Sequence, residues 1–201
     1  MTEFVPYISD RVDLSPHAKG VSALQWINQH CLQAKWILKS DDDMVINVFG
    51  LVSYLGHYSR WTALAGKGLP SKILCAVWWG MPVLRGEGCA KWCVSMDEWA
   101  EATYPTYCSG SAFVIPTHLA PRLYQAYFDA PFLWVDDAYI SGVLAKEAGI
   151  KHQHIHALYE LNHHLIEENL VRGNRLFCHH PGSAAPRATW WPLIAAKEGQ
   201  R

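Results

Sequence analysis

Three adjacent carboxylates, Asp41-Asp42-Asp43, interrupt two apolar runs, Trp36-Ile37-Leu38 before them and Met44-Val45-Ile46 after. Neighbouring like charges repel, so a chain that buries this triplet needs a cation beside it. The apolar flanks place it at the end of a buried strand rather than on a loose tail. In an extended backbone Asp41 and Asp43 would point to one side and Asp42 to the other. Two hard oxygen ligands held that way suit Mg²⁺ or Mn²⁺, and such a metal can take a diphosphate as its remaining ligands. A solvated acidic turn or a helix N-cap is the alternative reading of the same residues.

The length, 201 residues, is enough for one domain with a real core. Half of the residues are apolar and only 17% are charged, which specifies a folded globule rather than a disordered chain. A net charge of -1 without a basic block gives no footprint for nucleic acid. The uncharged run Ile73 to Leu84 is too short to span a bilayer and contains Gly80 and Pro82, so no membrane segment is expected. Met1-Thr2-Glu3-Phe4 is neither a signal peptide nor an anchor, and the chain reads as soluble. Ten tryptophans fit a filled core, and equally a carbohydrate site in which flat rings cover sugar faces. Cysteines stand at 31, 75, 89, 93, 108 and 178 with no C-x-x-C pair, which argues against a zinc knuckle. Their even number permits disulfides and an oxidising compartment.

Along the chain, Ser15-Pro16 reads as N-cap and first position of a helix through about Ala34, with Val21, Leu24, Ile27 and Cys31 in phase. Residues 35–39 form a short strand. Asn47 caps a second helix that carries Leu51, Val52 and Leu55 and ends near Gly56, and 59–72 is a loop. Ile73 to Trp79 has the length and composition of a buried strand. Lys91 to Ser95 is read as a strand, and Tyr104 to Ser111 as a tight loop leading into a strand at 112–115. Helices follow at about 117–127 and from 136 to Gly149, then an extended stretch, 150–156, and a Trp-bearing helix near 185–194. Alternating strands and helices without a linker specify one α/β or α+β domain over 1–201.

Asp136-Asp137 opens a helix after the strand-like Phe132 to Val135. The positive end of a helix dipole favours carboxylates there, so an N-cap role for Asp136 is sufficient. Equally, one of the pair can act as general base on a hydroxyl nucleophile. His179-His180 supplies imidazoles that, mixed with carboxylates, favour Mn²⁺ over Mg²⁺ or Ca²⁺, although an isolated pair of this kind is more often a pair of surface histidines. His152, His154 and His156 alternate along a strand and share a face, more in keeping with a solvated surface than with zinc.

The order of these segments resembles the β-1,3-galactosyltransferase family, which also includes β-1,3-N-acetylglucosaminyltransferases and fringe-like enzymes. The residues that carry the resemblance are Lys39 to Asp43 with Asn47, Met81-Pro82-Val83, Lys91-Trp92, Tyr104-Pro105 through Tyr107-Cys108-Ser109-Gly110, Asp136-Asp137 with Gly142, and His179. It runs from about Phe4 to Trp191. It implies a GT-A type fold and inverting transfer of a hexose or N-acetylhexosamine from a UDP-sugar to the 3-hydroxyl of an acceptor glycan. By the same match Asp41, Asp43 and His179 hold Mn²⁺ or another divalent cation, with His180 the alternative to His179, and Asp137 is the general base. Lys39, Asp42, Trp79, Tyr107, Ser109, Gly110 and Asp136 are expected to line the substrate cleft, although Trp78, Trp79 and Trp92 read first as core.

Three departures accompany the match. The chain lacks the strands that bind the uridine in the family, and so reads as the C-terminal portion of a catalytic domain whose parent is a type II membrane protein of the Golgi lumen. Cys93 stands where the family has an aromatic residue, and Ala138 where it commonly has Val. Two other activities compete: a non-catalytic remnant that binds carbohydrate or is structural, and a metal-dependent phosphohydrolase. The transferase reading requires carboxylates at 43 and 137 to share a crevice with an imidazole from 179 or 180.

Overall fold

The computed structural model describes residues 16–87, 89–161, 169, 173–179 and 190–196. They form a mixed α/β structure that divides into two compact units, Met1–Leu38 with Ser71–His154 and Lys39–Pro70 with Ile155–Arg201.

The first unit is built on a four-stranded sheet in the order β1-β4-β3-β5. Its strands are β1 (Trp36–Ser40), β3 (Lys72–Trp78), β4 (Tyr107–Pro116) and β5 (Lys151–His154). β3 pairs antiparallel with β4 and parallel with β5. A strand bonded on both sides has little contact with water, which explains the unbroken apolar run Ile73 to Val77, all buried. Helix α1 (Pro16–His30) packs Val21 and Leu24 into the same core as Phe113, Ile115, Leu119, Leu123, Tyr139 and Leu144. Gly20 lets that helix approach closely, since a Cβ there would lie 2.9 Å from Ile140 Cγ1. A 3₁₀ turn, Thr117–Leu119, leads into α3 (Ala120–Ala126). A π-helix, Ala138–Val143, continues into α4 (Leu144–Glu147), and Gly149 at φ 64° ends it.

The second unit carries a three-stranded sheet in the order β2-β7-β6, of β2 (Met44–Ile46), β6 (Tyr159–Glu160) and β7 (Phe177–His179). Helix α2 (Val48–Leu64) follows β2 directly, capped by Asn47, whose side-chain oxygen accepts from Gly50 N at 2.9 Å. Val45, Cys178, Trp190 and Ile194 make a small core there.

Several elements differ from what the pattern predicts. α1 stops at His30, and Ala34 N donates to Cys31 O in a turn that frees Lys35 O to accept from Thr117 N. α2 runs on through 59–64, because Ser59 and Thr62 return their hydroxyls to Leu55 O and Ser59 O and so sit in a helix without exposed polar demand. Lys91 to Ser95 is no strand: Ala90–Trp92 is a 3₁₀ turn made of the residues between Cys89 and Cys93, which a disulfide joins. Tyr107 to Ser111 is part of β4 rather than a loop: Tyr107 and Cys108 pair with Trp78 and Val77 of β3, and Ser109 to Ser111 lie in the irregularity that follows. Phe132 to Val135 is not a strand, and His156 begins a 3₁₀ turn. Trp78, Trp79 and Trp92 are 37%, 59% and 41% exposed, so they are not core. The expected Ser15 cap and most of the 185–194 helix lie outside the described residues.

Candidate active site

The Asp triplet forms a turn. Met44 N donates to Asp41 O at 3.3 Å, so the carboxylates do not alternate across an extended backbone, and the preceding β1 is only partly buried. The turn delivers the chain into β2, where Met44 stands opposite His179 of β7. That register places Asp43, one residue earlier, beside the His179 ring, with Nε2 3.1 Å from Oδ2. The other carboxylate oxygen, Oδ1, is buried and has no hydrogen-bond partner among the described residues. A buried carboxylate oxygen without a donor costs about 1–3 kcal/mol or more, which a cation offsets. Asp41 Oδ1 instead takes the Lys39 ammonium at 2.6 Å, and Asp42 faces solvent. No group of three or more His, Cys, Asp or Glu side chains converges among the described residues. His180 lies outside them.

In the first unit, Asp137 stands at the mouth of the π-helix, half-buried, with Oδ1 accepting from Ala138 N at 2.8 Å. It, rather than Asp136, caps the π-helical segment. The carboxylate lies against the bare Cα of Gly110: a Cβ there would come 2.9 Å from Oδ2 and 3.2 Å from Cγ. Gly110 is held there by an irregularity in β4. Between the pairs Cys75↔Phe113 and Val77↔Cys108, β4 takes five residue steps against two on β3, which bows Ser109 to Ala112 out of regular register. The Cys75–Cys108 disulfide pins the base of that bulge. Ser109 Oγ and Ser111 Oγ, 3.0 Å apart, hydrogen-bond across it.

Two phenols complete the surroundings. Tyr107 meets Tyr104 edge-on, ring centres 5.8 Å apart. Burial first, and then the Asp137 charge, push the Tyr107 hydroxyl up to about 12. Tyr104 is raised by burial and by the same carboxylate. Both phenols are therefore neutral hydrogen-bonding groups at physiological pH.

Behind Asp137 lies a relay that the sequence did not reveal. Ser141 is fully buried; its hydroxyl donates to Asp137 O at 2.6 Å and accepts from Cys108 N at 2.8 Å. His152 Nε2 donates to Ser141 O at 2.6 Å. The strand β4, the π-helix and β5 are thus tied through one serine. Wide π-helical turns occur often at functional sites, and this one frees the serine for bonds outside the helix. His154 is likewise committed, its Nδ1 accepting from Val77 N at 3.0 Å, yet it and His156 are exposed as a solvated face requires, while His152 is partly buried. A lone Ser in an apolar helical phase, two residues before the Val143-Leu144 pair, was the only signal, and it reads as ordinary helix.

Residues 15–156 match the family model described as Galactosyltransferase, which is most of the chain. The chain belongs to the galactosyltransferase family. It is similar to β-1,3-galactosyltransferase 4 of dog, Canis lupus familiaris, at 26% identity over 91% of this chain and 54% of the relative. The mouse protein of that name is 28% identical over the same 91% and 54%. Human β-1,3-galactosyltransferase 5 is 26% identical over 69% of this chain and 42% of its own length. This galactosyltransferase-family chain therefore spans about half the length of the curated relatives it matches. The matched region contains Asp43, Tyr107 to Gly110, Asp136-Asp137 and the Ser141–His152 relay, and stops short of His179.

Proposed function

We propose that this chain carries the catalytic residues of an inverting β-1,3-glycosyltransferase with a GT-A type fold. The donor is a UDP-linked hexose or N-acetylhexosamine and the acceptor a glycan 3-hydroxyl. The observation that carries the reading is the meeting of Asp43 with His179 across the β2–β7 pair, with one carboxylate oxygen buried and unsatisfied. Oxygen and imidazole donors together suit Mn²⁺, and Asp43 and His179 would hold it. Asp41 would join them only by giving up Lys39. A divalent cation there supplies neutralisation of charge on a departing diphosphate.

Asp137 is the general base in this reading. One of its oxygens is fixed by Ala138 N, and the Gly110 bulge leaves the other beside a backbone with no side chain. The carboxylate takes the proton of the acceptor hydroxyl as that oxygen attacks the anomeric carbon and the UDP leaves from the opposite face. A single displacement inverts the configuration. Asp136, Ser109, Tyr107 and Trp79 are substrate contacts. The lumen of the Golgi, with a membrane-anchored parent, fits the two disulfides Cys75–Cys108 and Cys89–Cys93. No helix among the described residues is long and apolar enough to cross a membrane.

The test is thermal denaturation with Mn²⁺, UDP, or both, together with a screen of UDP-sugars on simple acceptors. Mn²⁺ with UDP raises Tm, by roughly 2.7 kcal/mol of stability at a hundredfold excess over Kd, and Asp43→Ala removes the rise. A rise that Asp43→Ala leaves intact refutes the metal assignment. The Lys39–Asp41 pair favours a second reading, a carbohydrate-binding protein without catalysis. That reading gives glycan binding unchanged by metal and no transfer from any donor.

A further inference from the structure

A cleft of about 460 Å³ in the first unit is lined by Trp79, Pro105, Thr106, Gly142, Lys146, Ile150, Lys151 and His152. No carboxylate is among these residues, while two lysines are, both exposed. Neither lysine has a carboxylate within ion-pair distance among the described residues. Trp79 is 59% exposed and held from behind by His154, ring centres 4.8 Å apart, so its indole is presented rather than packed. An exposed flat ring covers a sugar face, and unpaired ammonium groups attract an anion. The cleft shares elements with the proposed base: Gly142 lies on the π-helix that Asp137 opens, and His152 bonds to the Ser141 carbonyl of the same helix.

We propose that this cleft is an acceptor subsite for a sugar bearing a carboxylate or sulfate, with Trp79 against the ring and Lys146 and Lys151 on the anion. The proposal rests on the glycosyltransferase reading for the word acceptor; the binding site stands by itself. It assigns Trp79 a definite partner and adds Lys146 and Lys151, which no motif singled out.

The experiment is isothermal titration of the whole chain with lactose, lactose sulfate and inorganic sulfate. Lactose sulfate should bind on the order of tenfold more tightly than either lactose or sulfate alone. Lys146→Ala and Lys151→Ala should each weaken lactose sulfate about threefold and leave lactose unchanged. Trp79→Ala should weaken both sugars, and added salt should close the gap between them. Equal binding of lactose and its sulfate overturns the proposal, as does lactose sulfate binding that Trp79→Ala leaves unchanged. The Mn²⁺–UDP thermal shift, measured on the same samples, reports separately on the donor side: its loss sinks the transferase reading without touching the cleft.

Discussion

Asp137 has so little room on one side that a single methyl group would move it. Gly110→Ala puts a Cβ 2.9 Å from Oδ2, and the neighbouring atom is the carboxylate itself. With Asp137 as the proposed base, the expected result is a fall in transfer rate of about tenfold to a hundredfold with Tm nearly unchanged, because a misplaced base costs rate and not packing. Unchanged kinetics with a lowered Tm would make the glycine a packing residue only. His152 gives a second prediction. Burial holds its imidazole below the ordinary 6.5, so the unfolded chain takes up a proton first as pH falls. Its stability contribution is full above about 6.5 and declines as pH drops through the lower folded value. Denaturation midpoints measured between neutral and mildly acidic pH should show a shallower loss in His152→Gln than in the parent. Parallel curves would remove His152 from the account. At this scale the sequence singled out the residues that carry charge, Asp43, Asp137 and His179, because few chemical roles suit a carboxylate beside apolar runs, and the structure brings two of them, Asp43 and His179, together. It read poorly the groups that only position them: Ser141 and His152 acquire their meaning from each other, eleven residues apart on a helix and a strand.

Helices announced themselves by capping and periodicity. Asn47 was legible as an N-cap, and Asn47→Ala should cost about 1 kcal/mol in a urea titration, the usual value of such a bond. A smaller change would mean that Asn47 N, which also donates to Leu176 O, secures the helix start without the side chain. The strands were harder. Tyr107 to Ser111 is rich in small residues and reads as loop until β3 is laid beside it. Lys91 to Ser95 reads as strand until the cysteines on either side close on each other. Pairing partners and crosslinks are non-local, and local propensity cannot anticipate them. Replacing both Cys75 and Cys108 by serine opens a loop whose ends are 33 residues apart in sequence. The expected loss is about 3–4 kcal/mol, read by urea denaturation under non-reducing conditions. Full retention of stability would show that the bulge is secured by Ser141 and strand pairing alone.

Over the whole chain, the family and the α/β class were set by the residues alone. Short apolar runs of strand length, helical phases between them and a fixed order of acidic and small-residue motifs allow few other outcomes, since each segment must bury one face. Tertiary structure decided the rest. It turned the Asp triplet back on itself, so that Lys39 took Asp41 and β7 brought His179 to Asp43. It exposed Trp78, Trp79 and Trp92, which read first as core, and drew two lysines and an indole into one cleft. The physical reason is the same throughout. Burial and periodicity are properties of a segment and are written in its own residues, whereas a hydrogen bond, an ion pair or a cleft belongs to residues far apart in the chain and exists only once the strands have chosen their register.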